Sequence, residues 1–550
     1  MARLATLFVV LVFSMGGIFL RLTILQVSQA HQYRDLALNQ RERSVTLAAT
    51  RGEIFDRSRD SLAMSLDARD VYADGRFVSD PLGTAQKIAP LLHVKPRTLM
   101  PALSSPSSFS YLARGVPMGV AGKIAALHLP GIQFLDSSRR FYPAGPLAPQ
   151  VLGFVGTDGT GLGGLEAQYE SVLAGRSGRL TQQIDRNGQP IAGSVTVDVP
   201  PVPGQGVVTT IDRDLQYQVQ SALQRAVQAN HAKGGTVIVL DPRTGEILAM
   251  ATYPWFVPND YQASPQESWR NRAVTDVFEP GSVNKVITAA AAVEEHAVGL
   301  DQKIVVPPSL RVDSTYTIHD SHYHPVERMT IGDIIAQSSN IGTVKIAALV
   351  GSDAFAGYLA RFGFGQSTGL GFPGEASGIL PPLFDWTAAS MATIPYGQGI
   401  AVTPLQMASV YATIANGGTW IQPRLVKGTI DPSGTYHASA PQATREVVSP
   451  QTARTVSSML AMAVQSGTGT AAQIPGYQVA GKTGTARIPL PNRAGYYTNR
   501  DVASFIGMLP ASSPRVVVAA IIDRPTTVYG GVAAAPLFQE VARYAIQRMG

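Results

Sequence analysis

At 550 residues, with 45% hydrophobic and 15% charged residues and no low-complexity block, the chain reads as a folded protein of two or three domains. Its net charge of +6 comes without a Lys/Arg-rich block interleaved with aromatics, so nucleic acid is not an expected partner. The absence of cysteine excludes disulfides, thiolate catalysis and cysteine-based metal sites, and 53 glycines with 38 prolines point to a turn-rich mixture of α and β.

Leu4 to Leu20 carries no charge. As a helix it reaches about 26 Å, a little short of the roughly 30 Å hydrocarbon core. Arg21 can snorkel, and Leu22 to Val27 extends the span. Arg3 and the free amine precede it, which predicts a cytoplasmic N-terminus with the rest of the chain outside. Ser28-Gln29-Ala30 would pass as a signal-peptide cleavage site. A typical signal h-region is shorter, however, and Arg21 sits poorly just before such a cut, so a retained anchor is expected.

Gln32 to Arg43 is polar and predicted to continue as a helix leaving the membrane. The stretch Arg51-Gly52-Glu53-Ile54-Phe55-Asp56-Arg57-Ser58 reads as a strand and turn whose charges are placed to pair, a structural clasp. From about 70 to 200 the elements are short and proline-rich, as in a spacer or docking module. The glycine-rich run Gly159 to Glu166 has no strand feeding it and no lysine after it, which argues against a phosphate loop. Pro200-Pro201-Val202-Pro203-Gly204 reads as a linker.

After the linker the pattern becomes more regular. Val207 to Ile211 suits a strand, and Asp212 can cap a helix through Leu215, Val219, Leu223 and Val227. Thr236–Leu240 and Glu246–Thr252 flank Asp241-Pro242-Arg243-Thr244-Gly245, a hairpin signal. A helix is then expected to begin about at Ser282, after the Pro280-Gly281 turn, and to run into the apolar stretch Val286 to Val293. Residues three apart on a helix share a face, which sets the Lys285 amine beside the Ser282 hydroxyl. A desolvated lysine can take a serine's proton, and the helix N-terminus favours an oxyanion there. Strands leading into a buried helix suggest a sheet with helices packed against it.

Two further motifs follow. Thr330 to Asp333 has capping-box spacing, and Ser338 and Asn340 lie two apart where a turn between helices could face both to one cleft. Tyr477 to Ala480 leads into Gly481-Lys482-Thr483-Gly484-Thr485-Ala486, read as a strand whose glycines let a substrate backbone approach while Lys482, Thr483 and Thr485 meet a carboxylate. His319, His322 and His324 cluster before the second motif. Their spacing does not match common zinc sites, so no metal is expected.

Three motifs in this order resemble the Ser-x-x-Lys, Ser-x-Asn and Lys-Thr-Gly set of penicillin-binding proteins and serine β-lactamases. The closer resemblance, over nearly the whole chain, is to class B penicillin-binding proteins, which are membrane-anchored monofunctional D,D-transpeptidases with an N-terminal pedestal. Arg51-Gly52-x-Ile54-x-Asp56-Arg57, the Arg139 to Gly145 stretch and Gly164-Leu165-Glu166 look like the pedestal motifs. Glu279 before Pro280-Gly281-Ser282, Tyr396-Gly397-Gln398-Gly399, Thr403 to Gln406, Ala503 to Gly507 and Tyr529 to Pro536 look like the septal, cell-division branch.

The resemblance implies an α+β fold, with an antiparallel sheet and helices in a penicillin-binding or serine β-lactamase-like transpeptidase domain at 204–550. It also implies an elongated, non-catalytic pedestal at 31–203 and a single transmembrane anchor at 1–30. By the same resemblance, Ser282 attacks the carbonyl between the last two D-alanines of a peptidoglycan stem peptide. Lys285 is the general base, Ser338 shuttles the proton and Asn340 holds the substrate peptide group. Lys482 supplies positive potential, Thr483 and Thr485 bind the terminal carboxylate, and Gly484 gives clearance. The backbone N–H groups of Ser282 and Thr485 form the oxyanion hole. No cofactor is implied. Implied partners are peptidoglycan stem peptides, β-lactams, a polytopic membrane glycan polymerase and other division proteins. The implied location is the cell membrane, catalytic domain outward. The alternatives are an elongation-type enzyme, a β-lactamase or β-lactam sensor using a further base such as Glu375, and a non-catalytic scaffold.

Overall fold

The computed structural model describes residues 2–107, 109–183, 191, 193–194, 196–314, 316–491, 495–526 and 529–549. They form two compact units. The first is Met1–Thr50, Asp67–Arg139 and Gly175–Gly204; the second is Arg51–Leu66, Arg140–Ala174 and Gln205–Gly550. Two segments that precede the proline linker therefore pack with the residues that follow it.

In the first unit, helix Ala2–Thr23 continues through a π turn to Ser28. Within this 27-residue stretch an unburied 18-residue window reaches a mean hydropathy of 2.2, and the stretch is long and apolar enough to cross a membrane. Helix Ala30–Arg41 follows and yields to strand Glu42–Leu47, which pairs antiparallel with Gly178–Gln183. A small core of Val71, Ala85, Ile88, Leu99, Leu103 and Ile124 holds the remainder.

The second unit is built on strands β1 (Gly234–Leu240), β2 (Ile247–Tyr253), β3 (Ala480–Pro489), β4 (Tyr496–Leu509) and β5 (Val516–Asp523), in the order β2-β1-β5-β4-β3. Every pairing is antiparallel. Alternation along β5 shows how the sheet divides two cores. Val516, Val518, Ala520 and Ile522 face one, while Val517 and Ala519 face the other. Helices α1 (Arg213–Ala229, capped by Asp212) and α8 (Ala535–Met549) cover the first face. The opposite face carries α2 (Lys285–Glu294), α3 (Ile331–Gln337), α4 (Asn340–Val350), α5 (Ser352–Arg361), α6 (Pro404–Ala415) and α7 (Pro450–Gln465). Val286, Ile287 and Ala289 to Ala292 of helix α2 are all buried, which is why its apolar residues are not confined to one stripe.

The arginine motifs of the second unit converge on one buried carboxylate. Glu166 accepts from Arg51 Nε at 2.7 Å and Arg140 Nε at 2.6 Å, and from the Tyr142 hydroxyl at 3.2 Å. The glycines before Glu166 serve this packing: a Cβ on Gly164 would lie 2.4 Å from Gly153 N.

Candidate active site

The α-helix expected from Ser282 begins one turn later. Gly281–Asn284 forms a 3-10 turn and α2 starts at Lys285. The turn is tightened against β3, for Gly281 has φ +58° and a Cβ there would lie 2.9 Å from Thr485 O. From the other side Tyr411 of α6 donates its hydroxyl to Val283 O at 3.0 Å. Ser282 is half-buried and lines a cleft of about 820 Å³.

Lys285 is fully buried. Its amine donates to Ser338 O at 2.5 Å, Ser338 Oγ at 3.2 Å and Asn340 Oδ1 at 2.8 Å. Burial pushes its pKa well below the ordinary lysine value, the charge of Lys482 pushes the same way, and Asp320 opposes them. Such an amine can be neutral and accept a proton.

Ser338 and Asn340 bracket the junction of α3 and α4, and both line the cleft. The capping box at Thr330 and Asp333 starts α3. Ser338 ends it with φ +63°, a left-handed conformation costing of order 1 kcal/mol for a side-chain-bearing residue. That turn aims both its carbonyl and its hydroxyl at Lys285. Both ends of the Asn340 amide are engaged, since Nδ2 donates to His319 O at 3.1 Å.

On β3 Lys482 is also fully buried, and burial pushes its pKa down to about 7. It donates to Thr468 Oγ1 and Thr483 Oγ1, each at 3.2 Å, and those two hydroxyls are 2.8 Å apart. Thr483 and Thr485 line the cleft, where the Thr485 hydroxyl accepts from Gly530 N at 3.1 Å. The glycines of this strand differ from expectation. A Cβ on Gly484 would lie 2.3 Å from Ser504 Oγ and 3.0 Å from Val283, and one on Gly481 would meet the Phe505 ring. Their missing side chains let the sheet and the Ser282 turn close together; the clearance is for protein, not for a ligand.

Thr468 and Asp320 escaped sequence reasoning, and His324 entered it only as one of a histidine cluster. Thr468 bridges Lys482 and Thr483 from the loop after α7. Asp320 and His324, on the loop before α3, lie behind the Ser338–Asn340 turn and contact each other at 3.1 Å. Only the Gly-Thr-Gly-Thr run at 467–470 offered any signal, and it is a weak one. Of the histidine cluster, His319 lines the cleft and His324 is buried on Asp320. Glu375 is occupied in its own loop, where it accepts from Thr368 N and Oγ1 and from Gly371 N.

Comparison with known proteins places this geometry in a family. The penicillin binding protein transpeptidase domain matches residues 235–543, and the penicillin-binding protein dimerisation domain matches 46–209. The chain is 38% identical over 568 residues to penicillin-binding protein PbpB of Mycolicibacterium smegmatis, covering 96% of this chain and 87% of that one. It is 34% identical over 505 residues to peptidoglycan D,D-transpeptidase FtsI of Escherichia coli K12, covering 90% and 82%. The crystal structure of penicillin-binding protein 3 from Mycobacterium tuberculosis complexed with aztreonam superposes with a TM-score of 0.74 at 33% identity, covering 92% of this chain and 97% of that one.

Proposed function

The chain belongs to the penicillin-binding proteins, and from that premise we propose that it is a peptidoglycan D,D-transpeptidase acting through an acyl-enzyme on Ser282, at the division septum. The observation that carries this reading is the convergence of Ser282, the Lys285–Ser338–Asn340 network and the Lys482–Thr483 edge at one cleft.

The chemistry follows from the donors and acceptors present. Neutral Lys285 takes the Ser282 proton as Oγ adds to the carbonyl between the two terminal D-alanines. The N–H groups of Ser282 and Thr485 stabilise the oxyanion. The C–N bond then breaks, and the proton returns through Ser338 to the leaving D-alanine amine. An amine of a neighbouring stem adds to the ester, Ser282 Oγ leaves and regains its proton, and a peptide cross-link results. Thr483 and Thr485 bind the substrate carboxylate, with Lys482 supplying positive potential, and Asn340 exchanges a protein partner for the substrate peptide group. A β-lactam presents a similar carbonyl and carboxylate and acylates the same serine.

The apolar N-terminal helix supports a single-pass anchor over residues 1–30 with the catalytic domain outside the cell membrane. Residues 31–203 serve as the pedestal and 204–550 as the transpeptidase domain. A polytopic glycan polymerase and other division proteins are the partners this reading implies. Relatives named FtsI and penicillin-binding protein 3 support the septal assignment over an elongation role. Incubation with labelled penicillin, followed by peptide mass mapping, tests the core of the reading. A mass shift on the peptide containing Ser282, lost in Ser282→Ala, is expected. Labelling of the alanine variant would refute it, and ester turnover within seconds would instead mark a β-lactamase.

A further inference from the structure

Asp320 belongs to none of the three motifs, yet its side chain is only 4% exposed. Oδ1 accepts from the backbone N–H groups of Asn340 at 2.5 Å and Ile341 at 3.0 Å, the first two residues of α4. Oδ2 accepts from Ser339 Oγ at 2.6 Å. The opening N–H groups of a helix lack intrahelical partners and carry partial positive charge, so a carboxylate seated on them is doubly favoured. Here it comes from 20 positions away and fastens the backbone between Ser338 and Ile341.

His324 completes the arrangement. Its ring is buried, with Nδ1 2.7 Å from Pro325 O and Nε2 3.1 Å from Asp320 Oδ2. The ring thus spans the loop, one nitrogen against the carboxylate and the other against a backbone carbonyl, and holds Asp320 in place. Among the described residues, the charges facing Lys285 are Lys482 from β3 and Asp320 from this loop, while Ser338 and Asn340 contribute dipoles.

We propose that Asp320 is a positioning residue of the acylation site: it locks the turn bearing Ser338 and Asn340 and supplies the negative charge that faces Lys285, and His324 holds it in place. The proposal rests on the reading of Ser282 as the acylated nucleophile, which acylation of the parent protein by penicillin checks separately.

Asp320→Asn keeps the shape and removes the charge. In the detergent-solubilised full chain, the second-order rate of acylation by a fluorescent penicillin should fall at least about tenfold. The acid limb of its pH profile should move down by about half a pH unit or more, because Lys285 loses the anion that favours its charged form. His324→Gln keeps the carboxylate and its charge but removes the ring that holds it, so its rate should fall while its acid limb stays in place. A displacement in Asp320→Asn that His324→Gln lacks is the signature, since a scaffold-only role of Asp320 would lower rates or melting temperature and leave the limb in place. An unchanged acylation rate in Asp320→Asn, or a loss of rate with no displacement, overturns the proposal. If Asp320→Asn does not fold, His324→Gln decides alone: a lower acylation rate in the folded variant supports the proposal, and an unchanged rate overturns it.

Discussion

The second unit buries cations in two places and treats them in opposite ways. At the clasp, Arg51 and Arg140 are 7% and 4% exposed, and they share Glu166, with Glu170 also on Arg51. Burial works against the Arg51 charge, but Glu166 and Glu170 outweigh it and hold its pKa above the usual value. At the cleft, Lys285 and Lys482 are fully buried with hydroxyls, carbonyls and an amide as direct partners, and burial drives both pKa values down. A cation with a carboxylate in contact keeps its proton and holds chain segments together. One without such contact is ready to exchange it, which is what a general base must do.

The largest effect that sharpens this contrast is on the cleft side. Lys285→Met fills a similar volume without a base, and acylation by labelled penicillin should fall about 10³-fold or more. Its melting temperature should be equal to or above the parent's, because no amine need be desolvated. A thermal melt beside the acylation assay checks both, and a clearly destabilised Lys285→Met would erase the distinction.

Glu166→Gln is the mirror experiment. It leaves Arg51 and Arg140 buried with an amide in place of their shared anion, for an expected loss of about 3–5 kcal/mol. Denaturant unfolding reads that loss, and acylation per folded molecule should stay near the parent's rate. A catalytic loss with unchanged stability would mean that the clasp is no clasp.

The two places were also unequally legible in the chain. Ser282 with Lys285, Ser338 with Asn340, and Lys482 with Thr483 are close in sequence, so each pair can be read within one short motif. Charges placed to pair marked Arg51 as a clasp residue, but its partner lies 115 positions on and no period reaches that far. Asp320 gave no signal and Thr468 only a weak one for the same reason, each meeting its motif across a loop. Gly484 was misread because the face of a strand residue depends on register, and pairing with Ser504 turns it toward packed protein. The left-handed turn at Ser338 had no signal either, since serine carries no mark of that conformation.

The smallest and most discriminating effect is the response of the lysines to pH. For Lys482, with a folded pKa of about 7 against roughly 10.4 unfolded, both states are charged well below pH 7 and the burial penalty is present in full. Between about 7 and 10 the unfolded chain binds more protons than the folded one, so this group makes stability rise with pH, by at most about 1.4 kcal/mol per unit. Catalysis runs the other way, because the free enzyme needs Lys482 charged to attract a carboxylate, so the second-order acylation rate should fall as pH climbs through 7. Lys482→Met should flatten its share of the stability slope and remove that basic limb together. Arg51 of the clasp, its pKa held above the usual value, keeps its charge throughout this window and contributes no slope, so a stability that rises while activity falls is specific to a site built on buried lysines with no carboxylate in contact.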